Sequence, residues 1–213
     1  MPAIAVRPLT PVRWPDLEAV FLARGCSVAR GCWCMFYRET GDFIVPGMKR
    51  AALARRDRLK ALADEGPPPG LIAYRGKQPV GWVTLGPREA FRRLERSRAM
   101  KAVDDRPVWS IVCFVVPSEF RGQGVAAALL AGAVAYARKQ GATILEAYPK
   151  DVPARAAAGA MWFGAKSMFD KAGFEEVARR NPAQPVVRKA LGKPVPRKPS
   201  PARAARKPRP ARP

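Results

Sequence analysis

The residues of this chain best suited to chemistry are Pro117-Ser118-Glu119-Phe120-Arg121-Gly122-Gln123-Gly124-Val125-Ala126. An apolar run from Trp109 to Val116 precedes them, and an Ala-rich run with helical character, Val125 to Arg138, follows. A strand that turns through glycines into a helix leaves a row of unpaired backbone N–H groups at the helix start. Those donors, with the positive end of the helix dipole, suit an anion such as a pyrophosphate. Gly122 and Gly124 let the backbone approach a phosphate with no Cβ in the way. The pattern predicts a phosphate-bearing cofactor on residues 121–126.

Acid–base chemistry has few candidates. The chain of 213 residues contains no histidine, which excludes His-based triads, His-ligated zinc and His proton shuttles. Carboxylates, Tyr, Cys, Lys, water or the backbone must move any proton. The cysteines are Cys26, Cys32, Cys34 and Cys113, with no C-x-x-C pair, so no metal site is expected and the thiols are read as small buried side chains. The N-terminus lacks a charged segment followed by an apolar one, which points to the cytoplasm and reduced thiols. No apolar window is long enough to span a membrane. The net charge is +22. Ten of the 39 Lys and Arg lie from Arg188 onward with no acid among them, leaving 29 bases against 17 acids elsewhere. The body alone favours anionic ligands.

The elements that must position these groups follow from periodicity. Residues 4–9 read as a first strand, and 11–23 as a short helix with Trp14, Leu17, Val20 and Phe21 at helical spacing. Residues 25–42 are expected to be a loop rich in Cys and aromatics. Residues 47–65 form an amphipathic helix with Leu53, Leu59 and Leu62 on its apolar side, ended by Gly66-Pro67-Pro68-Pro69-Gly70. Residues 71–74 and 80–85 predict a hairpin, and 87–106 a basic, partly helical insertion. Residues 108–116 are the longest apolar strand and should be central. A helix over 122–140, a strand over 143–148, a loop over 149–162 and a short helix over 163–172 follow. Residues 175–180 and 186–190 close the order as a hairpin. Antiparallel pieces flank one parallel β-α-β unit, so the expected fold is mixed α/β, a central mixed sheet of about six to seven strands with helices on both faces. One domain covers residues 1–190; the Pro/Ala/Arg/Lys-rich tail, 191–213, cannot bury a core and is expected to be disordered.

Two cofactor classes fit a glycine turn. Gly122-Gln123-Gly124-Val125-Ala126-Ala127 matches G-x-G-x-x-A, and Glu146 lies 22 residues past Gly124, near the spacing of a ribose-binding acid. Against a dinucleotide fold stand the motif's place in the second half of the chain, the long link from strand to first glycine, and hairpins upstream. The alternative starts one residue earlier. Arg121-Gly122-Gln123-Gly124-Val125-Ala126 fits [Q/R]-x-x-G-x-[G/A] and resembles the acyl-CoA pyrophosphate loop of the GNAT superfamily of N-acyltransferases. Downstream, Ser167-Met168-Phe169-Asp170-Lys171-Ala172-Gly173-Phe174 resembles that family's (L/M)-Y-x-K-x-G-F segment, and residues 4–10 resemble its opening strand. Gly31-Cys32-Trp33-Cys34-Met35 is similar to a branch of unassigned function.

The resemblance implies an N-acetyltransferase. Acetyl-CoA would be the donor and a primary amine the acceptor, with direct attack through a tetrahedral intermediate. It implies a gap where the fourth and fifth strands splay, in which pantetheine lies as a pseudo-strand on the backbone of Phe114, Val115 and Val116. Amides of Gly122, Gln123, Gly124, Val125 and Ala126 would hold the pyrophosphate; Arg121 would contact phosphate or brace the loop, and Phe169 would lie against the cofactor. The family's usual proton donor is a Tyr at the position held here by Phe169, and its Asn seven residues earlier is Trp162. The general acid therefore stays open: Tyr148 and Cys113 are candidates, and CoA thiolate can leave without one. For the base, Glu146 comes first, with Glu119 and the Asp104-Asp105 pair behind it. The tail supports a second reading, a nucleic-acid-binding protein on a catalytically silent fold, or non-specific nucleic-acid contact beside catalysis. A homodimer is common in the family.

Overall fold

A computed structural model describes residues 3–40, 48–152 and 161–192. Seven strands form one sheet: β1 (Ile4–Pro8), β2 (Gly70–Arg75), β3 (Gln78–Pro87), β4 (Trp109–Val115), β5 (Ile144–Ala147), β6 (Glu175–Ala178) and β7 (Val186–Ala190). Their order is β1-β2-β3-β4-β5-β7-β6. Every neighbouring pair is antiparallel except β4 and β5, which run parallel. The mixed sheet and its central strand match the expectation from sequence.

Strand alternation sorts side chains to two faces. In β2, Leu71 and Ala73 join one core cluster while Ile72 and Tyr74 join another. The first cluster lies under α4 (Val125–Lys139) and α5 (Lys166–Lys171); Leu129, Leu130 and Ala133 of α4 and Phe169 of α5 belong to it. The second is covered by α1 (Trp14–Leu22), α2 (Ser27–Cys32) and α3 (Met48–Glu65). A smaller third cluster gathers Phe91, Leu94 and Met100 of the 87–106 insertion against Val112, Tyr148 and Phe163. Helices thus cover both faces.

Several expectations need correction. The stretch read as a Cys-rich loop contains α2, which ends in Trp33 and Cys34 at φ 46° and 52°. Two consecutive non-glycine residues in the left-handed region are costly, and the surrounding core must hold them there. Leu53, placed on the apolar side of α3, is exposed, while Leu59 is fully buried. The first predicted helix begins as a 3₁₀ turn, Pro11–Arg13, and only then becomes α1. Most of the expected tail, and the core of the 149–162 loop, lie outside the described residues.

The site depends on one irregularity. β4 pairs with β3 along its length, with the register shifting so that Thr84 meets Cys113 and Leu85 meets Ile111. Val112 is the extra residue of this bulge. Against β5, β4 pairs only through Trp109, Ser110 and Ile111. From Val112 onward the two strands separate, and the gap opens toward the N-terminus of α4.

Candidate active site

The glycine turn has the geometry of an anion cradle. Gly122 and Gly124 adopt φ of 70° and 80°, and nothing lies within 4 Å of where either Cβ would be. A left-handed backbone is what glycine tolerates and L-residues resist. Gly124 caps α4, no side chain bonds the helix start, and its first turn holds no acid. The first N–H groups of a 15-residue helix therefore lack a side-chain partner at the cap, and no acid in the first turn offsets their dipole. Arg121 braces the turn: its Nε donates to the Val116 carbonyl at 3.0 Å and its Nη2 to the Gly25 carbonyl at 2.8 Å. Of the two roles considered for Arg121, the structure displays the bracing one.

A cavity of about 710 Å³ continues from this turn. Its wall runs from Arg121 and Ala126 along Val112, Cys113, Phe114, Val115 and Val116 to Cys32 and Cys34, Phe36, Tyr37 and Arg55, with Met161, Trp162 and Gly164 opposite. The expected gap beside β4 is present, but one of its backbone groups is already engaged. After β5 ends, Lys150 pairs with Ala165, and the returning chain brings the Trp162 carbonyl to the Phe114 N–H at 2.6 Å. The Phe114 amide, expected to bond pantetheine, donates to Trp162 instead. The Val116 carbonyl likewise already accepts from Arg121.

The wall is mostly apolar, and its ionisable groups are four thiols, one phenol and two arginines. Burial, and then the neighbouring Cys34, push the Cys32 thiol up to about 12. A hydrogen bond with Cys34, then burial, raises Cys113, and burial raises Cys26. At neutral pH these thiols stay protonated and are poor nucleophiles. Burial also raises Tyr37, whose oxygen takes a hydrogen bond from the Trp162 side chain. Arg55, almost fully buried, donates to the Gly31 carbonyl at 2.9 Å and lies 3.9 Å from Glu39.

Glu146 and Tyr148 lie elsewhere. Both are fully buried, and neither lines the cavity. Strand alternation turns them to the face opposite Leu145 and Ala147, where the parallel register sets Ser110 beside Glu146. One Glu146 oxygen accepts from Arg88 at 2.8 Å and from the Tyr148 hydroxyl at 2.6 Å; the other accepts from Arg188 at 2.7 Å. Tyr148 also accepts from Arg88 at 2.6 Å and meets Ser110 at 3.0 Å, and Arg188 reaches Asp104 at 2.7 Å. A carboxylate held between two guanidinium groups has both oxygens engaged. Desolvation, and then the Glu146 charge, raise Tyr148 well above its ordinary value. As base and proton donor at the open gap, the two side chains are at the wrong end of the strand.

Phe169 is also displaced from its expected place. It is fully buried, edge-on to Phe114 and Phe174 with centroids 6.2 and 5.2 Å apart, and forms core rather than cavity wall. Glu119 gives its carbonyl to Gln123 at 2.6 Å. Tyr37 escaped the sequence reading; the one signal for it was a Tyr in the Cys-rich stretch that follows the first helix.

Residues 34–162 match the family described as Acetyltransferase (GNAT) family. No curated protein matches the chain. Among solved structures, the chain resembles histone acetyltransferase HPA2 and related acetyltransferase from Corynebacterium glutamicum, with TM-score 0.54 and 16% identity over 90% of this chain and 98% of that one. It also resembles the Drosophila melanogaster polyamine N-acetyltransferase, with TM-score 0.51 and 11% identity over 88% of this chain and all of that one. At such identities the likeness is one of fold. The family match covers more than half the chain and includes the glycine turn and the opening gap; the chain belongs to the GNAT family and is an acyl-CoA-dependent N-acetyltransferase whose donor is acetyl-CoA.

Proposed function

We propose that acetyl transfer takes place in the cavity beside the unpaired half of β4. The amides from Gly122 to Ala126 hold the CoA diphosphate. The observation that carries this is the acid-free start of α4, with no side-chain cap, behind two left-handed glycines and flanked by Arg121 and Ala126 of the cavity wall. Pantetheine then runs along Val116 and Val115 toward Cys113. For it to use the Phe114 amide as well, the Trp162 carbonyl must give way, so that donor is the adjustable part of the site.

The amine nitrogen attacks the thioester carbonyl, and the tetrahedral intermediate collapses with loss of the C–S bond. The nitrogen's extra proton leaves to water. Tyr37 is the phenol on the described cavity wall and holds its proton at neutral pH, so it is available to donate a hydrogen bond to the departing thiolate. This role replaces the one that Phe169 cannot fill. Glu146 and Tyr148 act on stability. A reducing, cytoplasmic setting suits the four free cysteines.

Calorimetric titration with acetyl-CoA, alongside NAD, tests the donor site. Saturable binding of acetyl-CoA that weakens in Gly124→Val supports the assignment. Undiminished binding in that variant contradicts it.

A further inference from the structure

The acceptor can be narrowed from the composition of the cavity wall, given the donor-site reading above. Among the described residues, no carboxylate lines this cavity. The ionisable groups facing it are Cys26 and Cys32 of α2, Cys34 and Tyr37 of the turn that follows, Arg55 of α3, Cys113 of β4, and Arg121 of the glycine turn. The thiols of Cys26, Cys32 and Cys113 and the Tyr37 phenol are held neutral. Arg55 and Arg121 carry positive charge. Glu39 stands near Arg55 at 3.9 Å but does not line the wall. Apart from Ser27, the remaining side chains are apolar, with Phe36, Val112, Met161 and Trp162 prominent.

A second ammonium group brought to the acceptor end would lose its hydration with no carboxylate on the described wall to replace it, and with the Arg55 guanidinium nearby. A single ammonium faces the same penalty, which lowers its pKa and favours the neutral form. An aromatic or branched aliphatic body, by contrast, gains from burial. We propose that the acceptor is a monoamine on an apolar body with no second positive charge, and that it binds as the free base, its proton removed by desolvation rather than by a protein base. The ammonium releases its proton to solvent on entry. The free lone pair forms the C–N bond, the C–S bond breaks, the nitrogen loses its second proton to solvent, and the thiolate takes one up. The balance is one ammonium and one acetyl-CoA giving one amide, one CoA thiol and one proton.

The test is CoA release by the full chain at saturating acetyl-CoA. Benzylamine, 2-phenylethylamine and ring-substituted benzylamines of graded basicity are compared with putrescine, agmatine and spermidine. The expected result is kcat/KM at least about tenfold higher for the aryl monoamines. Its pH profile should rise with a midpoint that tracks each amine's own pKa. Diamines used as well as the monoamines, no turnover of any aryl monoamine, or one fixed midpoint across the graded series would overturn the proposal. Acetyl-CoA titration in parallel separates the causes. Binding with the wrong acceptor pattern sinks this inference alone; no binding sinks the donor site and this inference with it.

Discussion

The two ends of β4 treat charge in opposite ways. At Trp109–Ile111 the strand is paired on both sides and encloses an ionic network, in which Glu146 is shared by Arg88 and Arg188 with Tyr148 and Ser110 closing the polar contacts. Beyond Val112 the pairing to β5 stops, and the strand borders a cavity whose described wall holds no carboxylate. The two environments meet within one strand, between Ile111 and Val112. The residue types that chemistry most often uses, an acid and a phenol, sit where every side-chain oxygen is already hydrogen-bonded. The open end offers backbone amides, a protonated phenol and desolvation. Side-chain type alone points to Glu146 and Tyr148, which strand geometry keeps off the cavity wall.

Removing Glu146 should break the contrast most severely. Glu146→Ala leaves Arg88 and Arg188 buried without their shared anion, and a loss of about 3–5 kcal/mol in urea unfolding is expected. Tyr148→Phe is the gentler version: about 1 kcal/mol of stability lost and kcat within roughly threefold of the parent. A hundredfold fall in kcat with unchanged stability in that variant would move the chemistry to the ionic end. Next comes Tyr37→Phe, for which kcat should drop by about 10²-fold while the acetyl-CoA Kd from calorimetry stays the same. Gly124→Val should raise that Kd by about tenfold or more, since a β-branched residue at φ 80° carries about 1–3 kcal/mol of strain and its side chain obstructs the cradle.

The smallest effect concerns pH. A hydrogen bond from Arg188, then one from Arg106, hold the Asp104 carboxyl well below its usual range. A depressed folded-state pKa contributes stability that is fully present above the unfolded pKa of about 3.9 and is lost as pH falls through the folded value. Asp104→Asn should be slightly less stable than the parent at pH 7. The difference should shrink below about pH 4 in acid-titrated thermal melts.

The legible parts of this molecule are those fixed by local pattern. The apolar runs 71–74 and 80–85 around the polar turn Arg75-Gly76-Lys77-Gln78-Pro79 specified the hairpin, the apolar run 108–116 specified the central strand, and Gly122-Gln123-Gly124 specified the turn because few residues besides glycine accept its backbone. The remainder depends on contacts distant in sequence. The bulge at Val112 leaves no compositional trace, and neither does the point at which β4 parts from β5. Arg88 lies in a segment read only as basic, and Arg188 among residues read as the last strand; nothing local links them to Glu146. One signal was available: an acid between Leu145 and Ala147 on a buried strand requires cationic partners. Helix α2 carries no legible period because its six residues, Ser27–Cys32, are too few to show one. Capture of the Phe114 amide by Trp162 depends on how the chain returns after β5, which no spacing encodes.

A crystal structure with bound CoA tests the central claim most directly. It should show the diphosphate within hydrogen-bonding distance of the amides between Gly122 and Ala126, and the thiol sulfur on the Cys113 and Trp162 side of Val112. A diphosphate bound away from that turn, or a sulfur lodged beside Glu146 and Tyr148, would contradict it.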